Sequence, residues 1–134
     1  MYGKARTSAQ RKLIAEAVVS LPGAFTAEEL HRAVSKGAPG IGLATIYRAI
    51  GAMQSAGTIS AVGERHGSTL LARCDRHDHH HHLVCTSCSS VIGVDCPLGD
   101  AAMKAAAAAG HLVTSHEITL YGLCASCREQ GGAE

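Results

Sequence analysis

Apolar residues at positions 13, 14, 17, 18 and 21 recur with the spacing of one helical face, and Pro22-Gly23 stops that helix. Thr7 and Gln10 stand at capping-box spacing ahead of it. A second box, Thr26 with Glu29, opens a short helix that turns Leu30, Ala33 and Val34 inward and closes at Gly37, Pro39 and Gly40. A third helix is predicted over 44–55, with Leu43, Ile46, Ile50 and Met53 inward and Gly57 as its stop. The period then changes to two. Residues 58–62 and 68–73 read as strands joined by a turn over 63–67. After a polar linker come strands over 82–85 and 90–95, and an Ala-rich helix from near Pro97 to about 109, ended by Gly110. A longer strand over 112–121 completes the pattern.

Three helices followed by a β-hairpin is the order of a winged helix-turn-helix, whose third helix enters the major groove. The expected fold class is therefore α+β. A winged-helix DNA-binding domain occupies 1–73, and a small α/β dimerisation domain with a four-cysteine zinc site occupies 79–134, with 74–78 as linker. On the groove-facing side of the third helix the spacing places Ala44, Thr45, Tyr47 and Arg48. Arg48 can reach guanine or phosphate, and Tyr47 can pack on a thymine methyl or bond a phosphate. Arg6, Arg11, Lys12 and Arg65 are the expected phosphate contacts. Helix order alone leaves open a plainer reading, a small helical domain whose charges are merely solvated.

Composition sharpens this picture. With 134 residues, no Trp and a single Phe (Phe25), the chain must build its cores from Ala, Val, Ile and Leu. Two such cores are marginal alone, so structural metal or dimerisation is expected to supply the deficit. No apolar run is long enough to span a bilayer, and Arg11 and Lys12 interrupt any signal-like segment, so a soluble cytoplasmic protein is expected. In a reducing compartment six cysteines point to metal or redox work rather than to disulfides. Charge divides the chain. Residues 1–73 hold nine Lys/Arg against four Asp/Glu, whereas residues 74–134 hold three against seven. The second part also carries all six cysteines and seven of the nine histidines. A basic half suggests a polyanionic partner, and an acidic half rich in Cys and His suggests metal.

The metal-ligand half centres on Asp78-His79-His80-His81-His82-Leu83-Val84-Cys85-Thr86-Ser87-Cys88, with a second Cys-x-x-Cys at Cys124 and Cys127. Cys85, Cys88, Cys124 and Cys127 make a four-thiolate set with no open position, which argues for structural zinc. A dithiol redox pair is the competing reading, but it belongs beside a thioredoxin-like βαβ pattern that the chain lacks. In an extended segment His79 and His81 face one way and His80 and His82 the other, so one strand can serve two sites. Cys74 is placed to join His80 and His82; Asp100 and His116 can join His79 and His81. A metal held by Cys74 would bridge the two halves and fix their orientation. Taken without its neighbouring Cys pairs, the histidine run would be an adventitious chelator.

With these motifs in order, the chain resembles the Fur (ferric uptake regulator) family of metal-dependent repressors. Gly40-Ile41-Gly42-Leu43-Ala44-Thr45-Ile46-Tyr47-Arg48 resembles its recognition helix, and His79 to Cys88 with the terminal Cys-x-x-Cys resembles its metal motifs. The resemblance implies a cytoplasmic bacterial homodimer that binds a palindromic double-stranded operator when metal-loaded and represses metal-uptake genes. Within the family the chain is most similar to the zinc uptake regulators. That implies a regulatory site at Cys74, His80 and His82, and a third site at His79, His81, Asp100 and His116. Zinc is then both structural and regulatory, with another divalent ion as the alternative at the regulatory site. Two departures stand out: the branch's fourth sensing ligand, an Asp, is replaced by Ser60, leaving Glu64, His66 or water for that role, and Asp100 stands where the family has Glu. Cys96 has no role in the family pattern; core packing or metal or redox ligation are its options. A regulator sensing iron, manganese, nickel or peroxide is the runner-up. A zinc enzyme lacks an evident general base, and a zinc buffer would not need the third helix; neither a membrane nor a small-molecule substrate is expected.

Overall fold

The structure, a computed structural model, describes residues 2–74, 79–98 and 100–130, with side chains from Ser8 onward, Ala102 excepted. Residues 75–78 of the expected linker and the side chains of Arg6 and Thr7 lie outside the described residues. The elements follow the order α1 (Tyr2–Ser20), α2 (Ala27–Ser35), α3 (Leu43–Ala56), β1 (Ile59–Arg65), β2 (Ser68–Arg73), β3 (His80–Cys85), β4 (Val91–Asp95), α4 (Ala101–Ala108), β5 (Thr119–Gly122) and α5 (Ala125–Glu129).

Helix α1 begins at Tyr2, so Thr7 lies inside it and is not its cap. Lys4, Ala5 and Arg6 are good helix formers and carry the helix upstream of the expected start. Its inward face is Ile14 and Val18, with Ala17 and Leu21 partly buried, while Leu13 is exposed, contrary to expectation. The box that opens α2 is as expected: the Glu29 amide donates to Thr26 Oγ1 (3.1 Å) and the Thr26 amide donates to Glu29 Oε1 (2.8 Å). Helix α3 buries Ile46 and Ile50 and ends on Gly57 in the left-handed conformation. Leu43, expected inward, is exposed at its first position.

The hairpin β1–β2 is antiparallel, turns on His66 and Gly67, and carries a bulge at Val62. The strands therefore extend into the region expected as a five-residue turn. Phe25 bridges to Leu71, its amide donating at 2.9 Å and its carbonyl accepting at 2.8 Å, which stitches the hairpin to the segment between α1 and α2. Ile14, Leu30, Ile46, Ile59 and Leu71 meet in the core under this arrangement.

The second sheet has the order β4-β3-β5, with β3 antiparallel to β4 and parallel to β5. Of the expected strand over 112–121 only 119–121 is in the sheet, as the first three residues of β5. The parallel register pairs His82 with Thr119, so residues before about 116 run past the start of β3 and have no described strand beside them. Leu112 is accordingly 89% exposed. Helix α4 starts at Ala101, not at Pro97, and ends before Gly110. Helix α5 was not expected.

The two halves touch through the β3–β4 turn. Val84 packs with Ala24, Val62, Leu70 and Ala72, and the Ala24 amide donates to the Ser89 carbonyl at 2.7 Å. At Gly23 a Cβ would lie 2.2 Å from that carbonyl oxygen, so only glycine permits the approach. Gly23→Ala is expected to destabilise the protein by about 1–3 kcal/mol, as forced overpacking does. An unchanged urea midpoint in the purified variant would show that this docking contributes nothing.

Candidate metal centres and nucleic-acid interface

Cys85 ends β3 and Cys88 follows in a tight turn closed by the Ser89 amide donating to the Cys85 carbonyl at 3.0 Å. Cys124 precedes α5 and Cys127 lies within its first turn, so the short helix that the sequence pattern missed is the device that aims the second pair. The four sulfurs come within 4.8 Å of one another. A tetrahedral zinc with Zn–S near 2.3 Å requires sulfur–sulfur edges of about 3.8 Å. Cys88 Sγ and Cys124 Sγ stand 3.7 Å apart, and the donor set fits. Backbone amides shape the charge of the cluster. Hydrogen bonds from the amides of Cys124 and Cys88 lead in lowering the Cys85 thiol to about 6. The Cys124 thiol is lowered by the Cys127 amide, then by Ser90. Cys127 is pushed up to about 12: a hydrogen bond from Ser87 favours its thiolate, but hydrogen bonding to Cys124, Cys85 and Cys88 keeps the proton there.

At the start of β3 the alternation of the histidine run separates two clusters. His80 and His82 turn toward Cys74, which directly follows β2, with Cys74 Sγ at 3.2 Å from His80 Nε2 and 3.9 Å from His82 Nε2. Glu64 and His66 are not part of this three-residue group. His79 and His81 turn to the other face, where His79 Nε2 is 3.2 Å from His116 Nε2. Asp100 does not join them. It is exposed, immediately before α4, and the fourth member of the group is Cys96, whose Sγ is 3.2 Å from His116 Nε2. The register of the β3–β4 hairpin was the missed signal: His80 pairs with Asp95 and His81 with Val94, which carries Cys96 beside His79.

The three-stranded sheet thus has the four cysteines at one end and the histidine clusters at the other. It also reaches the wing. Thr119 Oγ1 donates to the Val62 carbonyl at 2.9 Å, and the Glu64 amide donates to Tyr121 Oη at 2.7 Å, both at the bulge of β1.

On the other half, Ala44, Tyr47 and Arg48 are exposed on α3 and Thr45 is half-buried, its Oγ1 accepting from Arg48 Nη2 at 3.0 Å. Tyr47 Oη donates to Glu28 Oε2 at 3.2 Å. Arg11 of α1 lines a small cavity with Thr45 and Arg48, and Lys12, next in sequence, is exposed. Arg65, expected as a phosphate contact, is paired within the protein. Its guanidinium donates to Glu29 Oε2 at 3.0 Å and to Ser89 Oγ at 2.8 Å, so it braces α2 against the cysteine turn. Partial burial raises the Glu29 carboxyl, but hydrogen bonding from the Thr26 amide and the charge of Arg65 outweigh it and hold the group below its usual range.

The profile of the ferric uptake regulator family matches residues 3–121. The chain belongs to the ferric uptake regulator family. Among relatives, the zinc uptake regulation protein of Mycobacterium tuberculosis is 36% identical over 128 residues, covering 92% of this chain and 95% of the relative. The crystal structure of FurB from M. tuberculosis, a zinc uptake regulator, superimposes with a TM-score of 0.51 at 35% identity over 92% of this chain and 96% of the other. A zinc uptake regulator complexed with zinc and DNA gives a TM-score of 0.72 at 25% identity, over 92% of this chain and 83% of that one. No described helix is long and apolar enough to cross a membrane.

Proposed function

We propose that this family member is a zinc-responsive repressor of metal-uptake genes that acts in the cytoplasm and binds a palindromic operator as a metal-loaded homodimer. The observation that carries the reading is the convergence of Cys74, at the end of the wing, on His80 and His82, at the start of the second sheet. Residues 1–73 form the DNA-binding domain and residues 79–134 the dimerisation domain. Cys85, Cys88, Cys124 and Cys127 would hold structural zinc, and Cys74, His80 and His82 regulatory zinc. Zinc supplies a cross-link of fixed geometry, closing a bond between elements that the chain joins only through 74–78. A thiolate among the ligands favours zinc over iron or manganese.

Exposed Ile92, Leu98, Met103 and Leu120 on and around β4, α4 and β5 give a second copy an apolar surface to cover, and β5 is a sheet edge. In the dimer, two copies of α3 read the two half-sites through Ala44, Thr45, Tyr47 and Arg48, with Arg11 and Lys12 on phosphates. Arg6 joins them on sequence grounds.

The test is selection of binding sites from a random-sequence DNA pool by the purified protein at buffered zinc concentrations. Enrichment of a palindrome only at high zinc is expected. Arg48→Ala should then weaken the selected site about 10- to 100-fold, the cost of losing a bidentate base contact or its equivalent. No zinc-dependent enrichment, or full retention of affinity in Arg48→Ala, would overturn the proposal.

A further inference from the structure

The cluster on the far face of β3 carries one residue that the family pattern leaves without a role. We infer that His79, His81, Cys96 and His116 form a third zinc site with a thiolate among its ligands, and that Asp100 is not a ligand. This builds on the proposed function, supplying the chemistry of the third metal site.

The strand register puts the four residues together for a physical reason. Opposed residues of an antiparallel pair point to the same face, and continuing the pairing of His81 with Val94 and His80 with Asp95 sets Cys96 opposite His79. The parallel pairing of β3 with β5, continued backwards from His82 and Thr119, sets His116 beside His79 on the other side. Three chain segments thus deliver their side chains to one point at the end of the sheet. His116 Nε2 lies 3.2 Å from both His79 Nε2 and Cys96 Sγ. Tetrahedral zinc, with Zn–N near 2.05 Å and Zn–S near 2.3 Å, requires edges of about 3.3 Å between nitrogens and about 3.5 Å between nitrogen and sulfur. The spacing is that of a ligand set.

A second observation points the same way. His81 is only 4% exposed, and its Nε2 has no hydrogen-bond partner among the described residues, an expensive state for a buried polar atom. Its ring stands 4.8 Å from that of His79 and 5.0 Å from that of His116, within the cluster. Metal ligation would satisfy that nitrogen, with the ring proton carried on Nδ1 and the 3.2 Å approach of the Ile118 amide to Nδ1 released; packing among the described residues leaves it unpaired. Asp100, by contrast, is exposed, begins the turn into α4, and is no member of the group.

Three imidazoles and a thiolate select differently from three imidazoles and a carboxylate. The thiolate tilts the site toward zinc and away from manganese or iron. On binding, the Cys96 thiol gives its proton to solvent and its sulfur lone pair to the metal, and no electron is transferred. Both histidine faces of β3 then meet a cysteine, Cys74 on one side and Cys96 on the other.

The experiment is a cobalt(II) titration of full-length Cys74→Ser protein whose four-cysteine site is filled with zinc. Cobalt bound by Cys96 produces a sulfur-to-cobalt charge-transfer band in the near ultraviolet. Adding Cys96→Ser should abolish that band and weaken cobalt binding by about tenfold or more, since the loss of even an outer-shell partner costs 10- to 100-fold. Asp100→Ala should keep both band and affinity. Should Cys96→Ser lose its zinc or its fold, Cys96→His serves instead: four-coordinate cobalt without the band is expected. No band in the Cys74→Ser protein, a band that survives loss of Cys96, or a site lost with Asp100 would each overturn the inference. None of these readouts depends on DNA, so failure of the ligand set and failure of the repressor proposal are separable.

Discussion

Cys85→Ser is expected to leave the protein without its tightly bound zinc and with a C-terminal half that no longer holds its sheet. Beyond Cys74, the described buried residues are His81, Val84 and Cys85 alone, so little apolar burial supports β3, β4 and β5. Removing the thiolate from that core takes away both a ligand and one of the few packed side chains. Structural zinc in small domains contributes on the order of 10 kcal/mol or more at neutral pH, comparable with the whole stability of an ordinary domain. Losing even about 3 kcal/mol would lower Tm by roughly 10 °C in a chain of this size. Metal analysis by mass spectrometry and thermal unfolding followed by circular dichroism read the two effects separately. Full zinc content with unchanged Tm would mean that the four sulfurs are not a zinc site. Arg65 and Ser89 make the damage travel, because the turn that carries Cys88 is hydrogen-bonded to the winged-helix half.

Cys74→Ser should give the opposite pattern: folded, carrying its structural zinc, and deaf to further zinc. Its thiol is the only described ligand contributed by the wing side of that cluster. Without it, the group loses the member that comes from the end of β2 and keeps two imidazoles on one strand. Coupling free energies between an effector and a second ligand run about 1–3 kcal/mol, so zinc-dependent strengthening of operator binding should fall from roughly 5- to 150-fold to near unity. Fluorescence anisotropy with operator DNA at buffered zinc measures it directly. If zinc still strengthens binding by the wild-type factor, the sensor lies elsewhere, and the cluster on the other face of β3 becomes the candidate.

Local signals in the sequence were sufficient for the winged-helix half. Thr26 and Glu29 meet as a capping box, Gly57 ends α3, and the change of period after it marks the hairpin. Helix α1 shows the limit of such signals, since a plausible box at Thr7 is overridden by helix formers before it. Leu13 and Leu43 show another: a residue at the edge of an apolar stripe is inside or outside according to what packs against it, which periodicity does not encode. The metal half was legible in its ligands more than in its frame. Alternation along the histidine run correctly split it into two faces. Cys96, for which the sequence left core packing or metal or redox ligation open, is brought to the cluster by hairpin register, a non-local quantity. Asp100, expected there from its place before the helix as well as from the family pattern, stands outside the group. Arg65 was expected on phosphate from its charge, and its pairing with Glu29 and Ser89 depends on tertiary placement that the sequence pattern does not encode.

The run of four histidines that leads into β3 has a consequence for inheritance. Tracts of one amino acid are prone to gain or lose a unit, and such a change in a strand normally exchanges its two faces. Here Leu83, Val84 and Cys85 anchor the strand from its C-terminal side, so length changes are passed backwards into 75–78. One added histidine leaves the four ligand positions as they are. One lost histidine brings Asp78 to the place of His79, replacing an imidazole with a carboxylate and shortening the path to Cys74 by one residue. Expansion of the tract should therefore be silent in natural isolates, and contraction should alter metal response without destroying the protein.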